Sequence, residues 1–127
     1  MYNRRLAIEI VDQIHHSLET ILKRFEPITR AEDFYHTEEG LEKLDAICMQ
    51  LIAVGESLKN LDKVSGSSIL SEYRHIDWKG AKGMRDIITH HYFNLDAETV
   101  FFVCQEKIPS MKACMEQIAA DLINGTV

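Results

Sequence analysis

Apolar side chains recur every three or four residues along almost the whole chain, and only two prolines interrupt them. That period is the face of an α-helix, whereas a half-buried strand needs strict alternation. Leu6, Ile10, Ile14, Leu18, Ile21 and Phe25 form one stripe, and Pro27 ends it. Thr29-Arg-Ala-Glu32 has the spacing of a capping box and predicts a short turn of helix leading to Phe34. Thr37 is the expected N-cap of a second helix, with Glu38 and Glu39 favourably placed in its first turn. Leu41, Leu44, Ile47, Leu51, Val54, Leu58 and Leu61 carry that helix to a loop around Gly66. Gly55 interrupts it at a cost of about 1 kcal/mol relative to Ala, which close packing against a neighbouring backbone would explain. Ile69 to Tyr73 reads as a short helix, and Asp77 as the cap of a helix from Trp78 to about His91. Tyr92 to Asp96 is a connection, with Asp96 as the next cap. The last helix carries Val100, Val103, Cys104 and Ile108, is kinked or restarted by Pro109, and continues through Met111, Met115, Ile118 and Leu122 to Asn124-Gly125. The expected fold is all-α: an up-and-down bundle of four main helices plus one or two short ones, in a single domain over residues 1–127.

At 127 residues a core can form without staples. No apolar run approaches the roughly 20 residues of a membrane span, and Glu9 and Asp12 break the first helix in a way no signal peptide tolerates. Cys48, Cys104 and Cys114 are odd in number and lack CxxC spacing, so reduced thiols in a cytoplasmic protein are expected. The six histidines show no zinc-ligand spacing, and neither a metal nor a cofactor is expected.

Charge singles out one stretch. The chain carries a net charge of −6. Arg74, Lys79, Lys82 and Arg85 face only Asp77 and Asp86 between Arg74 and Tyr92, a local balance of +2. An acidic chain with a local basic reversal beside histidines implies an anion site, phosphate above all, rather than a general nucleic-acid coat. On a continuous helix Arg85 and Tyr92 share a face, and His90 lies about 140° round from Arg85. They converge only if the helix ends near His91 or if a second copy supplies the partner. Cleavage of RNA by its own 2′-hydroxyl needs no protein nucleophile and no metal. His90 would move a proton, and Arg85 would hold the phosphate and stabilise the charge of the transition state. That reaction wants a base and an acid, and one chain offers His90 with only His91 beside it, pointing elsewhere. Gly80, Ala81 and Gly83 would let backbones approach closely, within the molecule or across a dimer.

Arg85-Asp-Ile-Ile-Thr-His90-His-Tyr92 has the form Arg, four residues, His, any residue, Tyr. With Val54-Gly-Glu56, Asp77-Trp78, Gly83-Met-Arg85, Tyr92-Phe93 followed by Asp96, and Ile108-Pro109, it resembles the HepT-like branch of the HEPN superfamily over nearly the whole chain. The resemblance implies a homodimer with a cleft around paired motifs and a ribonuclease toxin, with catalytic Arg85 and His90. It also implies a partner: a minimal nucleotidyltransferase antitoxin, which in some members adds AMP to the motif tyrosine, here Tyr92. Supporting roles fall to Asp86, His91, Glu56 and Lys82. Plainer readings stand beside these. Arg85 pairs with Glu56, Asp86 pairs with Lys82 or orients His90 from four residues away, Lys79 and Lys82 are solvated, and Trp78 anchors the start of its helix. The competing function is a non-catalytic, nucleotide-binding partner subunit of a nucleotidyltransferase; a structural helical adaptor is the third.

Overall fold

The computed structural model describes residues 2–127 and contains helices and turns only among them. Helix α1 spans Arg4–Phe25, α2 Glu38–Ser65, α3 Trp78–His91, α4 Ala97–Phe102 and α5 Ile108–Asn124. Short 3-10 turns occur at Ala31–Phe34, Leu70–Glu72 and Tyr92–Asn94, and one π turn, Val103–Lys107, joins α4 to α5. The expected all-α bundle is therefore what forms, with α4, the π turn and α5 acting as one interrupted fourth helix.

The caps fall where side-chain oxygens stand ready to take the orphan amides. Thr37 accepts from Gly40 N at 3.0 Å, Asp77 from Gly80 N at 2.9 Å and Asp96 from Glu98 N at 3.0 Å. Asn3 does the same for α1, accepting from Leu6 N at 3.1 Å. Gly66 and Gly125 close α2 and α5 in the left-handed region, at φ +62° and +73°. The Thr29 turn is built differently from the expected capping box. Asp33, not Glu32, reaches back: its carboxylate accepts from Thr29 N at 2.9 Å, Thr29 Oγ1 at 3.0 Å and Arg30 N at 3.3 Å. The Thr29 amide above all holds the Asp33 carboxyl below the usual carboxylate range. A folded-state value below the unfolded one adds stability that is present above about pH 4 and lost as pH falls through the folded value. Wild-type stability should therefore fall faster than that of Asp33→Asn between pH 5 and pH 2.5 in urea titrations, the two curves converging at the acid end.

The core is one continuous cluster: Ile10, Ile14, Leu18 and Ile21 of α1, Ile47, Leu51, Leu58 and Leu61 of α2, and Ile108, Met115, Ile118 and Leu122 of the last helix, with Phe34 sealing one end. Each such side chain contributes about 1.5–3 kcal/mol on burial. Two expected members are misplaced: Leu6 and Leu41 are exposed, and Ala7 and Val11 occupy the inner face of α1 instead. Both misplaced leucines lie in the first turn of their helices. Cys48, Cys104 and Cys114 are free and buried, and burial pushes their thiols up to about 12, 12 and 11 respectively, so they pack as small apolar groups.

Pro109 explains the π turn. A proline in a continuous helix would press its ring against the carbonyl four residues back and leave it without a donor. Here the chain widens for one turn, with Ile108 N–H donating to Val103 O, and α5 restarts with Pro109 in its first turn. The packing order around the bundle is α3, α2, α1, α5: α2 packs on α3 and α1, and α1 on α5. Helices α3 and α5 scarcely meet, so α3 rests on the rest of the molecule chiefly through α2.

Candidate active site on α3

The junction of α2 and α3 is set by Gly55. A methyl group there would stand 3.2 Å from Arg85 Cβ and 3.3 Å from the carbonyl oxygens of Ala81 and Lys82. The glycine anticipated as a close-packing point is thus the seat on which the α3 backbone lies. Gly80 and Gly83 have other uses. A Cβ on Gly80 would strike the Asp77 carboxylate at 2.3 Å, so this glycine leaves room for the helix cap. Around Gly83 such an atom would meet nothing within 4 Å. Within the molecule, then, close approach belongs to Gly55, and the outer side of α3 at Gly83 is open.

Arg85 leaves α3 beside this seat. Its Nε lies 2.5 Å from Glu56 Oε1, one residue along α2 from Gly55, and its Nη1 lies 3.2 Å from Asp86 Oδ1. The Arg85–Glu56 pair matches the plainer reading of the sequence. The Arg85 side chain is 41% exposed and that of Glu56 53%. A pair this exposed is worth about 0–1 kcal/mol, so Glu56 orients the guanidinium without holding it against a phosphate. Lys82 does not pair with Asp86, as its spacing implied, and is not free in solvent. Its ammonium is bound to the Asp62 carboxylate of α2, and both side chains are largely covered. Asp86, left to Arg85, makes no hydrogen bond to His90, so its expected orienting role is not seen. The competing partners come from α2, packed alongside. Asp62, twenty residues from Lys82, has no signal in the sequence that would have singled it out.

Thr89 Oγ1 donates to the Arg85 carbonyl at 2.5 Å, within the last turns of α3. His90 and His91 are exposed and make no side-chain hydrogen bond among the described residues. The helix ends at His91, where φ −130° breaks the spiral and turns Tyr92 away from its regular position. Arg85, His90 and Tyr92 do not bond to one another. Tyr92 is 39% exposed and its ring lies 6.0 Å from that of Phe93, which is 99% exposed. Trp78 is half-buried at the other end of α3 and donates from Nε1 to Tyr73 O at 2.9 Å, the anchor expected of it. Among the described residues no group of three His, Cys, Asp or Glu side chains is placed to hold a metal ion, and no helix is long and apolar enough to cross a membrane.

The open flank between α3 and α5 is a groove of about 360 Å³. Leu51 and Val54 of α2 form its floor, Met84 and Ile87 one wall, and Val103, Ile108 and Met111 the other. His75, Asp77, Glu106, Lys107 and Ser110 line its rim.

The third helix of the bundle thus presents an arginine beside the Gly55 seat and, five residues later, an exposed histidine that makes no side-chain hydrogen bond among the described residues. The family model described as "Ribonuclease HepT-like" matches residues 14–118, and the chain belongs to that HepT-like ribonuclease family. It is similar to a two-part protein of Methanocaldococcus jannaschii named as a gamma-glutamylcyclotransferase and proposed RNase, at 32% identity over 111 residues, 86% of this chain and 47% of that protein. Two further proteins of that organism, both named as proposed RNases, are 36% and 30% identical over 77 residues, 61% of this chain in each case and 63% and 60% of theirs. The chain thus spans about half the length of the first of these relatives and about three fifths of the others. No solved structure matches it.

Proposed function

We propose that the protein is a ribonuclease toxin that cleaves RNA without a metal ion, working as a homodimer. The observation that carries this reading is His90: a solvent-facing imidazole with no side-chain hydrogen bond among the described residues, on the same helix as an oriented but weakly held Arg85. In the reaction the 2′-oxygen of a ribose attacks the adjacent phosphorus, and its proton passes to His90 of one copy. The bond to the 5′-oxygen breaks, and that oxygen takes a proton from His90 of the other copy. The products are a 2′,3′-cyclic phosphate and a 5′-hydroxyl. Arg85 leaves Glu56 for the phosphate and stabilises the doubly charged transition state, for which a charge-assisted hydrogen bond is stronger than for the ground state. A dimer supports the reading because one chain holds only half of the acid–base pair.

Tyr92 is the proposed point of control. Its exposure suits modification by a nucleotidyltransferase antitoxin: the phenol oxygen attacks the α-phosphorus of ATP, pyrophosphate leaves, and the phenol proton passes to a base. The added phosphate, two residues from His90, would compete for Arg85 and exclude RNA. The exposed Arg85 guanidinium also fits one other reading, a non-catalytic subunit that binds nucleotide in the same place. The deciding assay incubates purified protein with tRNA and mRNA in EDTA and analyses product ends. Fragments ending in cyclic phosphate are expected from the wild type; nucleotide binding with intact RNA would favour the non-catalytic subunit.

A further inference from the structure

We infer that the groove between α3 and α5 receives the Phe93 ring of a second copy of the chain, so that two rings and two grooves lock the dimer; this rests on the homodimer reading above. Among the exposed large apolar side chains Phe93 is the extreme, 99% exposed, whereas Tyr92 beside it is 39% exposed. A phenyl ring wholly in water carries apolar area whose burial would be favourable. The groove has the opposite defect. It is apolar on its floor and both walls, it is large enough for a phenyl ring, and Ile87 on its α3 wall is 47% exposed.

Symmetry connects the two. In a two-fold dimer, whatever one copy inserts, the other inserts in return. Helix α3 is about 21 Å long at 1.5 Å per residue. If two copies of it lie antiparallel, the C-terminal end of one, where Phe93 sits, passes the N-terminal end of the other, where Asp77, Gly80 and Ala81 border the groove. Setting Phe93 over the partner copy's Gly80 brings His90 opposite Gly83. That is the glycine whose outer side is open, so an imidazole has room there. Charge agrees with this arrangement. His90 and His91 stand beside the inserted ring with no partner of their own, and Glu106 on the groove rim makes no ion pair among the described residues. The rim also carries His75 and Lys107; the Lys107 ammonium already lies over the Phe102 ring at 5.6 Å.

The test is the monomer–dimer equilibrium by sedimentation velocity for the wild type, Phe93→Ala, Phe93→Leu, Ser110→Trp and the Phe93→Ala/Ser110→Trp double variant. Phe93 and Ser110 are exposed, so circular dichroism should show every variant folded. The expected result is a dimer dissociation constant raised at least about tenfold by Phe93→Ala, recovered in part by Phe93→Leu, and raised by Ser110→Trp, whose indole would cover the groove. The double variant should be no weaker than the worse single one, because both changes remove the same contact. A wild type that dimerises while Phe93→Ala dissociates with the same constant overturns the inference and leaves the dimer reading standing. A wild type that is monomeric at all concentrations overturns both. Unchanged dimerisation with weakened RNA binding also overturns it, and assigns the Phe93 ring to stacking on an RNA base instead.

Discussion

His90→Ala should lower the rate of RNA cleavage in EDTA by about 10²–10⁴-fold, the usual contribution of one positioned proton-transfer group. The melting temperature of the single chain should not move, because the imidazole is exposed and makes no side-chain hydrogen bond among the described residues. RNA affinity should change little, since phosphate contact is assigned to Arg85. That combination of lost turnover, kept fold and kept binding separates a catalytic histidine from a structural one. Asp86→Asn supplies a control: it leaves the Glu56 contact to Arg85 in place, and with no bond to His90 it should cost far less than His90→Ala. Cleavage by His90→Ala at the wild-type rate would falsify the assignment. In cells, growth arrest on induction of the wild type and normal growth with the variant should follow the same division.

The second large effect is on the scaffold. Gly55→Leu should destabilise the protein by about 2–3 kcal/mol, the upper part of the range for forcing added carbon atoms into a packed junction. The neighbours at 3.2–3.3 Å are two backbone carbonyls and the root of Arg85, none of which is the free end of a flexible side chain. The only relief is for α3 to move off α2. That movement would carry Arg85 away from Glu56 and Lys82 away from Asp62 together, so nuclease activity should fall with stability. Gly83→Ala in the same helix has the opposite expectation. Among the described residues of one chain an added methyl meets nothing within 4 Å, and replacing a mid-helix glycine should stabilise the single chain by up to about 1 kcal/mol. Urea unfolding of the two variants reads both signs; a Gly55→Leu protein as stable as the wild type would refute the seat described for α3.

The helices were legible because each states its own limits locally. Thr37, Asp77 and Asp96 stand at their caps, Gly66 and Gly125 close the ends, and the apolar period runs between them. Where two acidic residues competed for one local role the reading slipped: Glu32 has the capping-box spacing, yet the tight turn aims Asp33 at Thr29. The candidate site was legible as a set of residues and less so as a set of partners. Lys82 and Asp86 sit four apart on one helix, which is as far as a linear pattern sees. The partner that wins the lysine, Asp62, lies on another helix and is met only once Gly55 has brought the two together. Least legible was the uncovered flank. Periodicity says which side of a helix is apolar, but it does not say whether a neighbour arrives to cover it. Leu51 and Met111 read as members of apolar stripes and are buried, yet with Met84 and the exposed Ile87 they also line an open groove.

The widened turn at Val103–Lys107 gives the last helix a phase defect. One buried stripe runs through Val100, Cys104, Ile108, Met111, Met115, Ile118 and Leu122, with Cys114 buried beside it. The extra residue shows in the hydrogen bonding: Ile108 N–H donates to Val103 O, five residues back instead of four. The excess is local, so removing one residue at this point would turn α4 by about 100° relative to α5.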